Sequence, residues 1–321
     1  MGTRRVDSVH IDAALTNLSI NTAAEQGMIA DIVSPIVPVA KESDVYWVYS
    51  NEGLKLHDVR RADRAEANEM ETSYTTATFT CEEKALKELV SDREQANADP
   101  GIDPKMDAVE DLTLALRLAR EVEVQTLIQT AGNWTGSSTP SVKWDAAASV
   151  IDKDFDTAIM AFRLQCGRVP NMVVTSDAVV RAIIRWLRNQ PSGKVSGPNF
   201  LNVEQYKALD MSSEFSGEDA RLKGLFGIDR WVVGKQVYDS AKVGSTASLA
   251  NVWGNHATLL YVNPRPRRRS MSASYTFQSR GFQVKRYRLE SRASDVIEVS
   301  RVDVAKAVSA ACGYHFYTVL T

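Results

Sequence analysis

One segment limits the shape of this chain before any motif is considered. Asp103 is placed to cap a helix, Pro104 suits its first position, and Gly132 lies just past its end. Between them Val109, Leu112, Leu116, Ala119 and Val122 recur at helical spacing. A helix over 104–131 is about 42 Å long at ~1.5 Å per residue. A compact globule of 321 residues has a radius of gyration near ~20 Å. One helix therefore crosses almost all of it, and the molecule is expected to be flat or elongated.

The flanking segments fit no ordinary globule either. Residues 1–45 read as an arm. In Ser34-Pro35-Ile36-Val37-Pro38-Val39 the two prolines forbid a central strand and favour an extended segment laid on another surface. Val45–Tyr49 and Ser73–Cys81 are rich in β-branched and aromatic residues, the signature of strands. The polar, charged residues 50–72 between them make a projecting hairpin, and connections that long are usually functional. After the Gly/Ser/Pro boundary at 132–140 the pattern alternates. Helices are expected over 151–166, ended by Gly167, and after Ser176 up to Pro191-Ser-Gly. Strands are expected at 169–175, 230–237 and 257–262, with mostly strand from Phe282 to Leu320.

Composition narrows the class. Hydrophobic residues make up 44% and charged residues 24%, as in a folded protein, which excludes collagen, mucin-like stalks and wholesale disorder. No apolar run reaches the ~18 residues of a membrane span, so no membrane partner is expected. The first residues lack the apolar core of a secretory signal, and Asp7 interrupts a myristoylation motif. A net charge of −2 excludes a generic nucleic-acid sponge. Cys81, Cys166 and Cys312 are too few for a disulfide framework and are expected to be buried and reduced.

Motifs of chemistry are mostly absent. The sequence contains no G-x-S-x-G, H-E-x-x-H, C-x-x-C or G-x-G-x-x-G. Gly227 through Gly234-Lys235 has the wrong spacing for a P-loop, and Gln236 stands where a hydroxyl should lie. His10, His57, His256 and His315 fall in four segments with no ligand spacing, so no metal is expected. Asp152, Asp154 and Asp156 lack the glycine and closing glutamate of a calcium loop and read as a charged helix start. No catalytic residue and no cofactor is assigned.

One stretch is unusual in charge. From Pro264 to Arg301 there are ten Lys or Arg and three Asp or Glu, beginning with Arg265, Arg267, Arg268 and Arg269. It reads equally well as a contact for a polyanion or an acidic neighbouring surface, and as a solvated run balanced by the acids of 52–71.

The order of these segments resembles the major capsid protein of tailed bacteriophages, whose fold is shared with encapsulin shells and the capsid floor of herpesviruses. Ile29–Val39 leading into Tyr46-Trp47 is similar to that family's N-terminal arm, 46–81 to its extended loop (the E-loop), and 104–131 to its spine helix. Pro170–Ser176, Leu225-Phe226-Gly227-Ile228 followed by Val232-Val233-Gly234, and Val252-Trp253-Gly254-Asn255 resemble its axial-domain signatures. The resemblance covers nearly the whole chain. It implies an α+β fold with an N-arm over 1–45, the E-loop hairpin over 46–81 and a peripheral domain over 82–144. An axial domain over 145–278 and peripheral strands over 279–321 complete it.

The same resemblance implies self-assembly through hexamers and pentamers into an icosahedral head around double-stranded DNA, in a virion assembled in the host cytoplasm. Implied partners are a portal protein, a separate scaffolding protein (no long acidic helical extension precedes the arm), a decoration or cement protein, and DNA by weak contact. The arm and E-loop would lie across neighbouring subunits. That makes Lys55, His57, Asp58, Arg60, Arg61, Asp63, Arg64, Glu66, Glu69 and Glu71 interface candidates. The arginines 265 and 267–269 would chiefly meet acidic neighbours, with DNA second, since a planar guanidinium grips carboxylates in pairs. Lys55 stands where some relatives weld subunits by a Lys–Asn isopeptide bond, but no Asn or acid partner is identifiable. The competing readings are an encapsulin-like compartment and, from another class, an α/β enzyme built on 145–262.

Overall fold

The computed structural model describes residues 10–11, 28–49, 55–56, 58–61, 63–64, 66–69, 74–99, 102–189, 208–209, 215–241, 244–266 and 271–321. In chain order its strands are β1 (His10–Ile11), β2 (Ile36–Pro38), β3 (Ser43–Tyr49), β4 (Tyr74–Thr80) and β5 (Glu82–Ser91). They continue with β6 (Gly136–Ser138), β7 (Met172–Ser176), β8 (Gly217–Glu218), β9 (Arg230–Gly234) and β10 (Val237–Asp239). The last are β11 (Leu249–Asn251), β12 (Ala257–Leu260), β13 (Ser274–Leu289), β14 (Ser294–Ala307) and β15 (Gly313–Phe316).

Two large sheets and two two-stranded ribbons, β3-β4 and β10-β11, hold these strands. In the first, β1, β13, β14 and β5 lie in that order, and β2 adds to β13 in parallel. β13 and β14 pair from Ser274↔Ala307 to Leu289↔Ser294, with register shifts between Gln278 and Gln283. At ~3.3 Å per residue the 16 residues of β13 extend about 50 Å, which gives the elongation expected from the long helix. The second sheet has the order β6-β15-β12-β7-β9-β8. Its centre, β7 and β9 in parallel beside β12, is buried on both faces, which is why Met172–Ser176 and Ala257–Leu260 read as nearly unbroken apolar runs.

The long helix runs from Pro104 to Gln129, with the Asp103 carboxylate accepting from Lys105 N at 3.1 Å. It stops two residues short of the expected end. Thr130 adopts an extended conformation, and Gly132 lies in a following 3-10 turn rather than forming the cap. Val109, Leu112 and Leu116 pack on Val90, Val284, Ile297 and Val299 of the long sheet. Beyond Leu116 the buried face turns to Arg120, Glu121, Val124 and Ile128, whereas Ala119, expected inside, is exposed. Val124 and Ile128 enter the larger core around the second sheet. One helix thus ties the two packed bodies together.

Helices Ile151–Cys166 and Asp177–Asn189 flank the second sheet, the first ending at left-handed Gly167 (φ 69°). The expected stop at 191–193 lies outside the described residues. The strand expected over 230–237 is two strands, because Lys235-Gln236 break it and β10 turns away to pair with β11. β5 carries no sequence signal for a strand: EEKALKELVS alternates charge and apolar residues irregularly at a sheet edge. The strands β6 and β15, from stretches read as peripheral, pair with β12 in the same sheet as β7 and β9. β15 also passes so close to Trp134 that a Cβ on Gly313 would lie 2.1 Å from its ring, a contact only glycine allows.

Residues 28–39 of the N-terminal segment are built into their own subunit. Ile29 and Val33 are fully buried, Ser34 Oγ lies 3.0 Å from Thr276 Oγ1, and Val39 N donates to Gln278 O. β1 likewise pairs with β13 of the same chain. The extended Ile36–Pro38 segment does lie at a sheet edge, as its prolines require.

Candidate functional site

The hairpin exposes several large apolar side chains among its described residues. β3 and β4 pair antiparallel from Ser43↔Thr80 to Tyr49↔Tyr74, so residues 50–73 leave from the far end of a regular ribbon. Its base is fixed by rings. Phe79 stacks on Phe277 at 4.4 Å, Tyr46 meets the same ring at 5.3 Å, and Cys81 Sγ donates to Phe277 O. Above that anchor apolar side chains face solvent: Trp47 is 44% exposed, Leu56 fully so and Val59 90%. Exposing three such side chains costs about 1.5–3 kcal/mol each relative to burial.

The charged candidates sit in this exposed part. Lys55, Asp58, Arg60, Arg61, Asp63, Arg64, Glu66 and Glu69 are all exposed, whereas His57 and Glu71 lie outside the described residues. Asp58 shapes the loop: its carboxylate accepts from Arg60 N at 3.0 Å, and Asn68 Nδ2 donates to its carbonyl at 2.8 Å. Arg64 takes a left-handed conformation (φ 62°), which strains a non-glycine residue and marks a tight turn.

The basic stretch divides into two parts. Much of it is neutralised inside the subunit, by acids other than those of 52–71. Arg280 pairs with Glu42 at 2.9 Å, Arg286 with Asp295 at 2.7 Å, and Arg288 with Asp92. Lys105 and Arg286 together hold the Asp295 carboxyl down to about 2. Arg301, fully buried, donates to Asp303 at 2.6 Å and faces Glu123 at 3.5 Å. Lys84 bridges Glu123 (2.6 Å) and Asp303 (3.3 Å), so β5, β14 and the long helix share one ion network. The other part is the segment between β12 and β13, the link between the two sheets. Arg265 is exposed there, its N donating to Asn263 Oδ1, while Arg267, Arg268 and Arg269 lie outside the described residues.

Two buried polar centres carry no sequence signal. Glu121 of the long helix is fully buried and accepts from Ile29 N (3.1 Å), Ala30 N (2.9 Å) and Trp253 Nε1 (2.7 Å). Burial pushes its carboxyl up, against these three donors. It joins the N-terminal segment, the helix and the second sheet's body.

The other centre pairs two histidines. His256 and His315 stack at 5.2 Å, and Thr258 Oγ1 lies 2.8 Å from His315 Nδ1. Burial first, then the charge of His256, lowers His315 to about 4. Among the described residues no group of three His, Cys, Asp or Glu could hold a metal, and no helix is long and apolar enough to cross a membrane. Asp154 belongs to a helix start, as read from the sequence, and its carboxylate accepts from the buried Trp144 Nε1.

The histidine centre carries a pH prediction. His315 is neutral in the folded chain and would bind a proton in the unfolded one below about 6.5. Its depressed pKa therefore contributes stability that is complete above about 6.5 and is lost as pH falls toward 4, on the order of 3 kcal/mol. Melting curves between pH 7 and 4 should fall steeply for the native chain and less steeply for His315→Gln. Equal slopes for both would remove His315 as the cause.

No family model matches the chain. It is 27% identical over 257 residues to the major capsid protein of Pseudomonas phage JBD67, covering 78% of this chain and 77% of that one. Its fold matches a phage-related protein of Bordetella bronchiseptica RB50 with a TM-score of 0.68 at 21% identity, over 97% and 98% of the two chains. The capsid of cyanophage P-SCSP1u matches at 0.55 and 10% identity, over 89% and 86%. With its anchored hairpin, long helix and two large sheets, the chain has the fold of phage capsid proteins and is similar in sequence to one of them.

Proposed function

We propose that this chain is the shell subunit of a phage head, assembling as hexamers and pentamers into an icosahedral capsid around double-stranded DNA. The observation that carries this reading is the hairpin. Its base is locked by Phe79, Tyr46 and Phe277, and its described outer residues present uncovered Leu56 and Val59 among charges. A surface of this kind fits a second copy of the same chain, which every subunit of a closed shell supplies. The body around the second sheet would form the axial part, and the long sheet with the spine helix the peripheral part. A portal protein, a separate scaffolding protein and a decoration protein are the partners such a shell would use, and its role is structural rather than catalytic.

An encapsulin-like compartment is the second reading within the fold. The relative at 27% identity is a phage capsid protein, which weighs against it. Particles isolated after co-expression with a packaging system should contain nuclease-protected DNA. Particles that hold only protein cargo would favour the compartment.

The arginines of the segment between the sheets are proposed to bind acidic hairpin residues of a neighbour. Each exposed pair contributes only about 0.2–1 kcal/mol, but a shell repeats it in every subunit. Replacing Arg267, Arg268 and Arg269 with Gln should lower the yield or salt resistance of empty shells. Normal empty shells with DNA retention alone impaired would assign these arginines to the lumen instead.

A further inference from the structure

Two cysteines far apart in sequence meet in the core. Cys166 is the last residue of helix Ile151–Cys166, and Cys312 ends the turn just before β15. Their sulfurs lie 3.1 Å apart across a separation of 146 residues, with the two residues 1% and 0% exposed. A disulfide requires about 2.05 Å, so bonding would draw the sulfurs together by only about 1 Å.

Both backbones are held in place. Left-handed Gly167 ends the helix with its N donating to Arg163 O. Cys312 N donates to Ser309 O and Cys312 O accepts from Tyr261 N, while Gly313 is wedged against Trp134. Cys81 stands apart, its sulfur directed at Phe277 O. The pair is also asymmetric. The hydrogen bond with Cys312 lowers the Cys166 thiol against the opposing effect of burial, and the charge of Arg168 adds to the lowering. The same hydrogen bond and burial raise Cys312.

We propose that Cys166 and Cys312 form an intrachain disulfide when the assembled protein meets a small peroxide outside a reducing cell interior. The Cys166 thiolate attacks one peroxide oxygen. An S–O bond forms, the O–O bond breaks, and the departing hydroxide takes up a proton as water. The Cys312 sulfur then attacks the Cys166 sulfenic acid; the S–S bond forms, the S–O bond breaks, and the Cys312 proton leaves with the oxygen as a second water. Two thiols are oxidised and one peroxide is reduced to two waters. The bond pins the end of a core helix to the turn that leads into β15 and closes a loop of more than a hundred residues, which restricts the unfolded chain.

The test treats purified shells, or the soluble subunit, with hydrogen peroxide and maps peptides without reductant. The expected result is a linked peptide containing Cys166 and Cys312, while Cys81 is still alkylated after denaturation, and dithiothreitol reverses the link. The melting temperature of the subunit should rise by roughly 5–10 °C, a rise lost in Cys166→Ser and kept in Cys81→Ser. If Cys166 and Cys312 are alkylated in full after the treatment, or gain oxygen without becoming linked, the proposal fails. The peptide map is made on the unaltered chain, so it decides the proposal even where a variant does not fold.

Discussion

Deleting residues 50–72 leaves a folded subunit that no longer closes into shells. None of the three buried clusters includes a described residue of this stretch. The rings that fix the base, Tyr46, Phe79 and Phe277, are retained, and a short turn can rejoin the β3–β4 ribbon. The melting temperature should therefore change by no more than about 2 °C, the equivalent of about 1 kcal/mol in a chain of this size. Sedimentation should move from particles to single subunits or capsomers. The deletion removes Leu56, Val59 and the charged residues around them, and both apolar side chains are uncovered in one copy. Shells of normal size and yield from the shortened chain would show that the hairpin is not an assembly element.

Replacing Glu121 with leucine should destabilise the subunit by about 3–5 kcal/mol. The carboxylate is the shared acceptor for Ile29 N, Ala30 N and Trp253 Nε1, and leucine leaves three buried donors unmatched. The loss would fall unevenly. Residues 28–34 are held to the long helix by this group and by Arg120 with Asp31 at 2.7 Å, so they should be released first. Limited proteolysis should then cut near Ile29 at temperatures where the sheets remain folded. Glu121→Gln keeps one acceptor oxygen but turns an NH₂ toward donors, and should fall between native and Leu. A Leu variant with native melting and native protease resistance would contradict the clamp.

Much of the fold was legible because each element obeyed one local rule. Asp103 and Pro104 marked the start of the long helix, Gly167 marked the end of the next one, and the β-branched runs 45–49 and 74–80 became the paired ribbon. The misreadings have physical causes. Past Leu116 the helix buries Arg120 and Glu121, so a search for apolar spacing followed Ala119 and missed the true inner face. β5 lies at an edge with charged residues on much of its surface, and its strand character comes from pairing with β14 rather than from its composition.

Long-range contacts were harder still. His256 with His315, and Cys166 with Cys312, look scattered along the chain, yet the order β15-β12-β7 and the packing of helix 151–166 bring each pair together. The basic excess of 264–301 was visible as charge. Its division into internal ion pairs and a linking segment with exposed Arg265 depended on which strands faced Asp295, Glu42 and Asp92.

Electron cryomicroscopy of particles formed by the native chain tests the central claim most directly. The expected map is a closed icosahedral shell in which residues 50–72 of each subunit lie on the adjacent one, covering Leu56 and Val59. A protein that remains a monomer under these conditions, or a shell in which each hairpin folds back on its own subunit, would contradict the account.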